Sequence, residues 1–514
     1  MKASIIAALV AATTLVCGAS AAQKNYLRFT ARGGSVTIGM VDPCADIDWE
    51  EELGYVPDEE EMEWFKTEPL TLETAASPDQ ADWSLFEAGT DQIVLADGET
   101  VYYRQHDPNR TDFQNAELGG AWHFTMSADP STPQVTVEAG GNALSVVDAT
   151  CGEAELAPYA IANLFQDCTI LTTPPELVAA KLAKDCFSYL FWGCTALRTP
   201  PALPMTELAD YCYSDMFREC AALQTAPALP ATNLAEGCYA SMFFGCTSLT
   251  AAPVLPATRM VRKCYFMMFY KCESLTVAPD LPATELVREC CRHMFEYCTS
   301  LKRVSVAFTA WGESGLETSS WLEAASATGL FICPASLAKT YGDDNIPTGW
   351  TVAEPVTVKV PRQANCTAVA TADGAAITGT PDGDAAAFVF GKGKEDADIT
   401  FEPSEGYALV GAAEYTIPKI AAPVTFGTGD YALPTVVRLA PEVSCQSAAL
   451  QFDGLAVEGG AVSLSFGVRT TAALDVPDWQ PATVTGAAIS PDGKTVTLTI
   501  PATAAQGFYR LTEK

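Results

Sequence analysis

A strict 26-residue repeat carrying two cysteines is the feature that most constrains how this chain can fold. The first cysteine recurs at Cys186, Cys212, Cys238, Cys264 and Cys290, the second at Cys194, Cys220, Cys246, Cys272 and Cys298, and Cys168 extends the second series by one unit. A fixed period of this length is typical of stacked repeats, in which each unit buries its apolar face only against its neighbours. Such arrays usually present binding surfaces, so the repeat favours recognition over catalysis.

Each repeat has two halves with different apolar spacing, as in LQTAPALPATNLAEGCYASMFFGCTS (residues 223–248). The first half is short and bounded by prolines, which cannot lie inside a helix, so it predicts one short strand per unit. In the second half Leu208, Cys212, Met216 and Cys220 recur every four residues, which predicts one face of a short helix. The expected fold is an α/β leucine-rich-repeat solenoid of six units, each with a short strand and a short helix.

The repeated cysteines have three possible roles. Two residues eight apart on a helix lie about 12 Å apart, too far for a disulfide within one unit. The C-x7-C spacing also differs from the C-x2-C spacing of zinc sites. We expect two ladders of buried, reduced thiols that fill the core. Disulfides between neighbouring units and metal binding remain alternatives, and export from the cell would favour oxidation.

The N-terminus predicts export. Residues 1–22 read as a secretory signal peptide, with Lys2, an apolar run and a small-residue cleavage site. Cys17 raises lipid attachment as an alternative. No later segment has 18 apolar residues in a row, so no further transmembrane helix is expected. The predicted location is therefore secreted or cell-surface.

The charge of the chain excludes one class of partner. The formal net charge is −33, so the phosphate backbone of a nucleic acid would be repelled. Twelve carboxylates lie between Asp42 and Glu68 against the single Lys66. A solvated loop or insertion is the main interpretation of this segment. A divalent-cation site is the alternative, although the alternating acidic loop of known calcium sites is absent.

The segments around the repeat predict β modules. Residues 23–150 alternate apolar and polar side chains in short runs, as in a hairpin at residues 91–104, and form an N-terminal β module with the acidic insertion. Residues 151–352 hold the repeat and its C-terminal cap. Residues 353–439 and 440–514 read as two further β-sandwich-like modules. Cys366 and Cys445 could form a disulfide, but they fall in different predicted modules.

The repeat resembles a known family. The run APALPATNLAEGCYASMFFGCTSLTAAPVLPAT (residues 226–258) is similar to the BspA-like leucine-rich repeats of bacterial surface proteins. Residues 135–148 resemble the strands that lead into such arrays, and residues 319–352 resemble the segment that closes them. The resemblance implies a secreted or cell-surface protein that binds a ligand, with no catalytic residues and no cofactor. The chain departs from the pattern at residues 178–181, at Cys291 and in the last unit.

A catalytic site is not predicted. His106, His123 and His293 are the three histidines, and each fits a structural or solvated role better than a chemical one. No G-x-S-x-G, H-E-x-x-H or C-x-x-C motif occurs, and the segment at 390–396 lacks the glycines of a phosphate loop. We therefore expect a non-enzymatic protein without a metal or cofactor.

Ligand-binding candidates lie in the slots that vary between units. The slot after the invariant Phe holds three aromatic residues, Trp192, Phe244 and Tyr270, which could stack on sugar rings or a partner, or could simply pack against a neighbouring segment. Basic residues concentrate in the last two units, and Arg262, Lys263, Arg288 and Arg292 are the candidates for attracting an anionic glycan. A solvated face is the alternative interpretation of these charges.

Together these patterns predict a non-enzymatic binding or adhesion protein. Its repeat would recognise a protein or glycan on a host or neighbouring bacterial surface. Two other classes stay open: a glycan-processing enzyme that carries the repeat as an accessory domain, and a structural scaffold of the cell envelope.

Overall fold

The computed structural model of the protein describes most of the chain from residue 25 to 438. It covers residues 25–41, 70–79, 83–107, 122–132, 134–148, 154–372, 375–377, 379–405, 407–428 and 431–438, together with the backbone of five strands between 466 and 513. The predicted signal peptide, the acidic segment Asp42–Glu68 and Cys445 lie outside the described residues.

The described residues divide into two compact units. The first contains the residues up to Arg362, Ala368–Thr400 and Glu414–Ala432, and the second contains Gln363–Thr367, Phe401–Ala413 and the residues from Leu433 onward. The first unit holds the repeat and is therefore the one that positions the candidate residues.

Eight strands precede the repeat. They are β1 (Leu27–Arg32), β2 (Val36–Val41), β3 (Thr71–Ala75), β4 (Ser84–Glu87), β5 (Ile93–Leu95), β6 (Thr100–Gln105), β7 (His123–Ala128) and β8 (Thr136–Gly140), followed by a 3₁₀ helix at Ala143–Val146. β1 pairs antiparallel with β6 and β8 in a six-stranded sheet of order β10-β8-β1-β6-β3-β4, in which β10 is the later strand Leu171–Thr173, and β5-β2-β7 form a second sheet. Their alternating apolar residues face a shared core, as the period of two predicts.

Short strands mark the repeat and its C-terminal end. They are β9 (Ala154–Glu155), β10 (Leu171–Thr173), β11 (Ala179–Lys181), β12 (Arg303–Ser305), β13 (Leu330–Ile332) and β14 (Thr351–Ala353). β10 pairs in parallel with β8, β9 with β11, and β12, β13 and β14 with one another in that order.

The remaining strands follow Pro355. They are β15 (Pro355–Pro361), β16 (Cys366–Ala372), β17 (Ala375–Ile377), β18 (Thr380–Asp382), β19 (Ala385–Gly391), β20 (Ala397–Pro403), β21 (Tyr407–Val410), β22 (Glu414–Ile417), β23 (Val424–Thr425), β24 (Thr435–Arg438), β25 (Phe466–Thr471), β26 (Gln480–Pro481), β27 (Gly486–Ile489), β28 (Val496–Thr499) and β29 (Phe508–Glu513). They form small sheets of orders β18-β19-β15-β23, β17-β16-β20-β22, β21-β24, β26-β25-β29 and β27-β28.

The predicted α/β leucine-rich-repeat solenoid with a helix in every unit is wrong. The described residues contain no α-helix, and their strands form separate small sheets. The second half of each repeat, where Leu208, Cys212, Met216 and Cys220 predicted a helix, is a continuous run of turns. We call the six turn-containing segments, residues 156–301, the repeat array.

Left-handed residues prevent a helix from forming in the array. In each unit three residues spaced four apart have φ between +52° and +73°, whereas an α-helix needs negative φ throughout. These residues are Tyr159, Asn163, Asp167, Asp185, Tyr189, Gly193, Tyr211, Asp215, Glu219, Gly237, Ser241, Gly245, Lys263, Met267, Lys271, Glu289, His293 and Tyr297. The chain therefore turns every four residues, which reproduces the four-residue apolar spacing without helical hydrogen bonding.

Backbone N–H groups in these turns donate alternately within their own unit and to the next one. In the unit around Cys212, the local bonds are Cys212 N to Ala209 O, Ser214 N to Tyr211 O and Arg218 N to Asp215 O, at 3.0–3.3 Å. The bonds to the next unit are Tyr211 N to Glu236 O, Tyr213 N to Cys238 O, Asp215 N to Ala240 O and Phe217 N to Met242 O, at 2.8–3.1 Å. Neighbouring units are thereby joined by backbone bonds that satisfy the buried donors.

Aromatic rings stack along the core of the array at the same spacing. The invariant Phe residues from Phe165 to Phe295 have successive ring centroids 5.3–5.7 Å apart and nearly parallel planes. Phe124 of β7 begins this stack at 6.0 Å from Phe165, and Trp321 ends it beside Phe295. The repeat thus buries its apolar face against the strands before it and the segment after it.

Prolines limit strand formation in the first half of each unit. In the middle of the array the structure has only isolated parallel bridges, such as Thr225 with Ala251 and Val277 with Arg303. Proline lacks the N–H that a ladder would need, which explains why the strands predicted for the middle units are replaced by isolated bridges.

The second cysteine of each unit acts as a hydrogen-bond donor in the core. Cys194, Cys220, Cys246, Cys272 and Cys298 each place Sγ 3.0–3.2 Å from the backbone oxygen of the invariant Phe in the preceding unit, and Cys168 does so to Phe124. Burial raises the pKa of these thiols, so they keep their protons at neutral pH. The array cysteines of the described residues are free and buried, as the sequence predicted.

Replacing one of these thiols should weaken the array. Cys220→Ala removes the donor to Phe191 O and leaves a small cavity, so the free energy of unfolding should fall by about 1–3 kcal/mol. Equilibrium denaturation of the full chain measures this change. Cys366→Ala is the matched control, because Cys366 is only partly buried and should change stability by less than about 0.5 kcal/mol. Equal effects at both positions would contradict a structural role for the thiol.

Two glycines at left-handed positions should differ in their tolerance of a side chain. In Gly245→Ala the new Cβ would lie 3.2 Å from the flexible Glu219 side chain, so only the backbone conformation opposes it and the loss should be about 1–2 kcal/mol. In Gly237→Ala the Cβ would lie 2.2 Å from the Tyr211 ring, and the loss should be larger. Thermal melting of both variants checks this order, and an unchanged melting temperature for Gly237→Ala would refute it.

Candidate interaction surface

The aromatic candidates lie side by side along one edge of the repeat array. Phe244 and Tyr270 stack with ring centroids 4.5 Å apart and planes 15° apart. Arg218, from the same slot of the preceding unit, places its guanidinium carbon 3.9 Å from the Phe244 centroid and 5.9 Å from that of Trp192. Tyr297 meets Tyr270 edge-on at 5.6 Å. We call these five residues the aromatic row.

The stacking of the units explains why the row is continuous. Each of the four residues from Trp192 to Tyr270 follows an invariant Phe whose ring is fixed in the core, so its own side chain starts at the same place in every turn. The unit spacing of 5–6 Å then brings neighbouring side chains into contact. This distance suits the stacking of planar groups, and it lets a guanidinium fit between two aromatic rings.

Both faces of the Phe244 ring are covered within the row. Arg218 comes from the unit before Phe244 and Tyr270 from the unit after it, so they lie on opposite sides of the ring. A sugar ring that stacks on an aromatic needs one free face. Only the edge of the Phe244 ring is therefore left open, beside the Arg218 guanidinium.

The row remains partly open to solvent. Trp192, Phe244 and Tyr270 are half-buried, whereas Tyr297 keeps 38% of its surface exposed. Polar groups accompany it: the Trp192 indole donates to Glu219 at 3.4 Å, and the Lys271 ammonium lies 5.4 Å from the Tyr270 centroid. Partial burial raises the pKa of Tyr270, so its hydroxyl is a neutral donor and acceptor at physiological pH.

Three of the four basic candidates surround one buried carboxylate. Glu289 is paired with Arg262 at 3.3 Å, with Arg288 at 3.3 Å and with Lys263 at 3.9 Å. Arg262 also binds Glu236 at 2.9 Å. Glu289 is buried while Arg262 and Arg288 are exposed, so the carboxylate pairs with cationic groups that remain partly open to solvent. We call Arg262, Lys263, Arg288 and Glu289 the basic cluster.

Arg292 contacts other residues than those of the basic cluster. Its Nε donates to His293 Nε2 at 3.1 Å, and His293 Nδ1 pairs with Glu296. An imidazole that accepts at Nε2 carries its proton at Nδ1, which donates to the carboxylate. His293, one of the three histidines of the chain, thus has a structural role in the turns.

Four residues of these surfaces are not among the sequence-predicted candidates. Arg218 occupies the aromatic slot without being aromatic, although arginine readily stacks on rings. Tyr297, Glu289 and Glu236 lie at positions with no shared residue type across the units. Aligning the units identifies Arg218 when cations in an aromatic slot are also treated as candidates. The other three residues can be identified only from the distance between neighbouring units.

A second polar cluster lies on the N-terminal strands. Glu73 accepts a hydrogen bond from Arg104 and lies 3.1 Å from His106 Nδ1, while the Arg104 guanidinium lies 4.1 Å from the Trp83 centroid. Partial burial would raise the pKa of Glu73, but hydrogen bonds from His106 and Arg104 outweigh it and lower the pKa. The carboxylate is therefore ionised and ties β3 to β6.

A buried ion cluster joins the end of the repeat array to the strands that follow it. Arg303 donates through Nε to Glu395 at 2.7 Å and through Nη2 to Val389 O, and Asp280 lies 3.8 Å from Arg303 Nη1. All three charged side chains are almost fully buried. Burial raises the pKa of Asp280 to about 6, Arg303 opposes this, and the negative charge of Glu395 adds to it. The enclosure of the cluster indicates a structural joint.

The pKa of Asp280 predicts a pH dependence of stability. Because this pKa is raised in the folded protein, Asp280 favours folding when protonated, and that contribution is lost as pH rises from about 4 to about 6. Its size is at most about 3 kcal/mol. Asp280→Asn removes this titration, so the stability of the variant relative to the wild type should rise between about pH 4 and pH 6 and stay higher at pH 7. Melting temperatures of both proteins at pH 4, 5, 6 and 7 test this, and parallel curves would refute it.

The part of the chain that the structure describes contains no group of three or more His, Cys, Asp or Glu side chains placed to hold a metal ion. The same residues contain no helix of the length and apolar character that crossing a membrane requires.

Comparisons of the chain with protein-family profiles, with curated proteins and with solved structures return no match. The BspA-like assignment therefore stays a prediction that depends on the residues carrying the resemblance. The candidate surface has to be interpreted from its own geometry, which offers a cation-filled aromatic row and a basic cluster on the same repeat array.

Proposed function

We propose that the protein is an exported, non-enzymatic binding protein whose repeat array recognises a protein ligand through the aromatic row. The observation that carries this proposal is the contact series from Trp192 through Arg218, Phe244 and Tyr270 to Tyr297. Tryptophan, tyrosine and arginine are the residues that most often dominate the binding energy of protein interfaces.

The packing of the row favours a protein over a sugar as its ligand. Carbohydrate stacking uses a free ring face, and both faces of Phe244 are occupied by Arg218 and Tyr270. Ring edges, a tyrosine hydroxyl and a guanidinium are instead suited to the backbone and side chains of a protein partner. The row thus acts as a rigid apolar strip with polar groups along it.

The side chains of the row are already ordered before binding, which favours affinity. Four of the five row residues follow a buried Phe, and their neighbours restrict their rotamers before any ligand arrives. Binding then needs little ordering of side chains, which otherwise opposes association by about 0.5–1.5 kcal/mol for each side chain. The exposed heads of Arg262 and Arg288 in the basic cluster would add attraction for a partner with acidic residues.

A matched binding experiment tests the proposal. Full-length protein is applied to immobilised extracellular glycoproteins, to the same proteins after enzymatic removal of their glycans, and to an array of free glycans. Binding to proteins should persist after deglycosylation and weaken about tenfold or more in Tyr270→Ala and Tyr297→Ala, a loss of about 1.4 kcal/mol or more.

Tyr341→Ala is the control, because Tyr341 is 51% exposed and lies outside the row. It should bind as the wild type does. Binding to free glycans that depends on Tyr270, or protein binding that the row variants leave unchanged, would overturn the proposal. The basic cluster is tested in the same assay by Arg288→Gln, which should weaken binding and reduce its dependence on salt concentration, because the partner is expected to carry acidic residues.

A further inference from the structure

A lysine and a cysteine lie in contact at the C-terminal end of the array. Cys333 follows strand β13, and its N–H donates to Ala353 O at 3.0 Å. The chain then turns, and the Lys339 ammonium returns to lie 3.2 Å from Cys333 Sγ. Lys339 Nζ also donates to Pro334 O and Leu337 O, each at 2.9 Å. The three donors of the ammonium are therefore used, and the nitrogen is held against the sulfur.

Cys333 differs from the array cysteines in its partner. The second cysteine of each unit donates its thiol hydrogen to a carbonyl, as Cys220 does to Phe191 O. The sulfur of Cys333 instead accepts a charge-assisted hydrogen bond from an ammonium. The geometry therefore places a nitrogen donor directly against the sulfur, which is the atom that oxidants attack.

We propose that Cys333 and Lys339 form a covalent sulfur–nitrogen crosslink when the protein meets hydrogen peroxide. In the first step the Cys333 sulfur attacks the peroxide, an S–O bond forms, the O–O bond breaks, and water leaves with the thiol proton. In the second step Lys339 Nζ, after losing a proton to solvent, attacks the sulfenic sulfur. An S–N bond forms, the S–O bond breaks, and a second water leaves.

The reaction balances in atoms and electrons. One thiol, one ammonium and one peroxide give one sulfenamide, two waters and one proton. Sulfur is oxidised by two electrons, and peroxide accepts them. Sulfenic acids condense reversibly with backbone nitrogen to give sulfenamides, and the amine of Lys339 would take the place of that nitrogen here.

Position favours the second step over further oxidation of the sulfur. The amine is already within contact distance, so condensation is intramolecular and avoids the entropy loss of a bimolecular encounter. Cys333 is buried, but the segment after it, residues 335–341, is exposed apart from Leu337. Local opening of this short segment admits peroxide. The crosslink would then close the loop from residue 333 to 339 beside strands β13 and β14.

Trypsin digestion of the full-length protein provides a direct test. The protein is exposed to graded peroxide, then denatured with a thiol-blocking maleimide and digested. Between Arg303 and Lys359 the only tryptic site is Lys339, so a crosslink leaves residues 304–359 as one peptide. That peptide should be lighter by two hydrogens than the unmodified one, and a thiol reductant added before blocking should restore cleavage after Lys339.

Variants separate the crosslink from simple oxidation. Lys339→Arg keeps the positive charge and the tryptic site but has no condensing amine, so Cys333 should be recovered as sulfinic or sulfonic acid. Cys333→Ser should cleave fully at every peroxide concentration. Lys419→Arg, which changes an exposed lysine that bonds Lys394 O, should form the crosslink as the wild type does.

Three results would overturn the proposal. One is full cleavage after Lys339 in oxidised wild-type protein. A second is over-oxidised Cys333 in the wild type at the same level as in Lys339→Arg. The third is an uncut 304–359 peptide whose mass does not show the loss of two hydrogens. Recovery of the crosslinked peptide in wild type and Lys419→Arg alone establishes it.

Discussion

The backbone hydrogen bonds between successive repeat units are the interaction on which the rest of the structure depends. Every second N–H in the turn-forming half donates to the next unit, as Tyr213 does to Cys238 O and Phe217 to Met242 O. This arrangement requires three left-handed residues in each unit, a conformation that opposes folding by about 1–2 kcal/mol at each non-glycine position. The strain is offset because the same turns align the buried Phe rings and thiols of all units.

The same constraint explains why the helix prediction failed. A helix repeats every 3.6 residues, so a strict spacing of four drifts around its surface by about 40° per step. Leu208, Cys212, Met216 and Cys220 keep that strict spacing, which suits a chain that turns once every four residues. Gly237 and Gly245 lie at left-handed positions, and glycine at these positions is the sequence signal for four-residue turns. In most units, however, other residue types fill these positions and hide the pattern.

The candidate surface is a consequence of this stacking and not of any motif. Trp192, Phe244 and Tyr270 were recognisable as outward-facing slots because the unit alignment places them beside the invariant Phe. The unit spacing decides which part of each ring stays open. Arg218 fills the gap between the Trp192 and Phe244 side chains and covers one face of Phe244. The basic residues Arg262 and Arg288 likewise form ion pairs with Glu289. The burial of Glu289 cannot be inferred from the number of charges in the sequence.

The sequence by itself determined the period and the buried positions and favoured reduced core thiols over disulfides, because apolar and invariant slots recur wherever one unit packs on the next. It could not determine the backbone path, since helices and four-residue turns share nearly the same apolar spacing. Tertiary structure decided that path through hydrogen bonds between residues about 25 apart, such as Tyr211 with Glu236. It also decided the joint of Arg303 with Glu395 and the contact of Lys339 with Cys333, which depend on how separate segments meet.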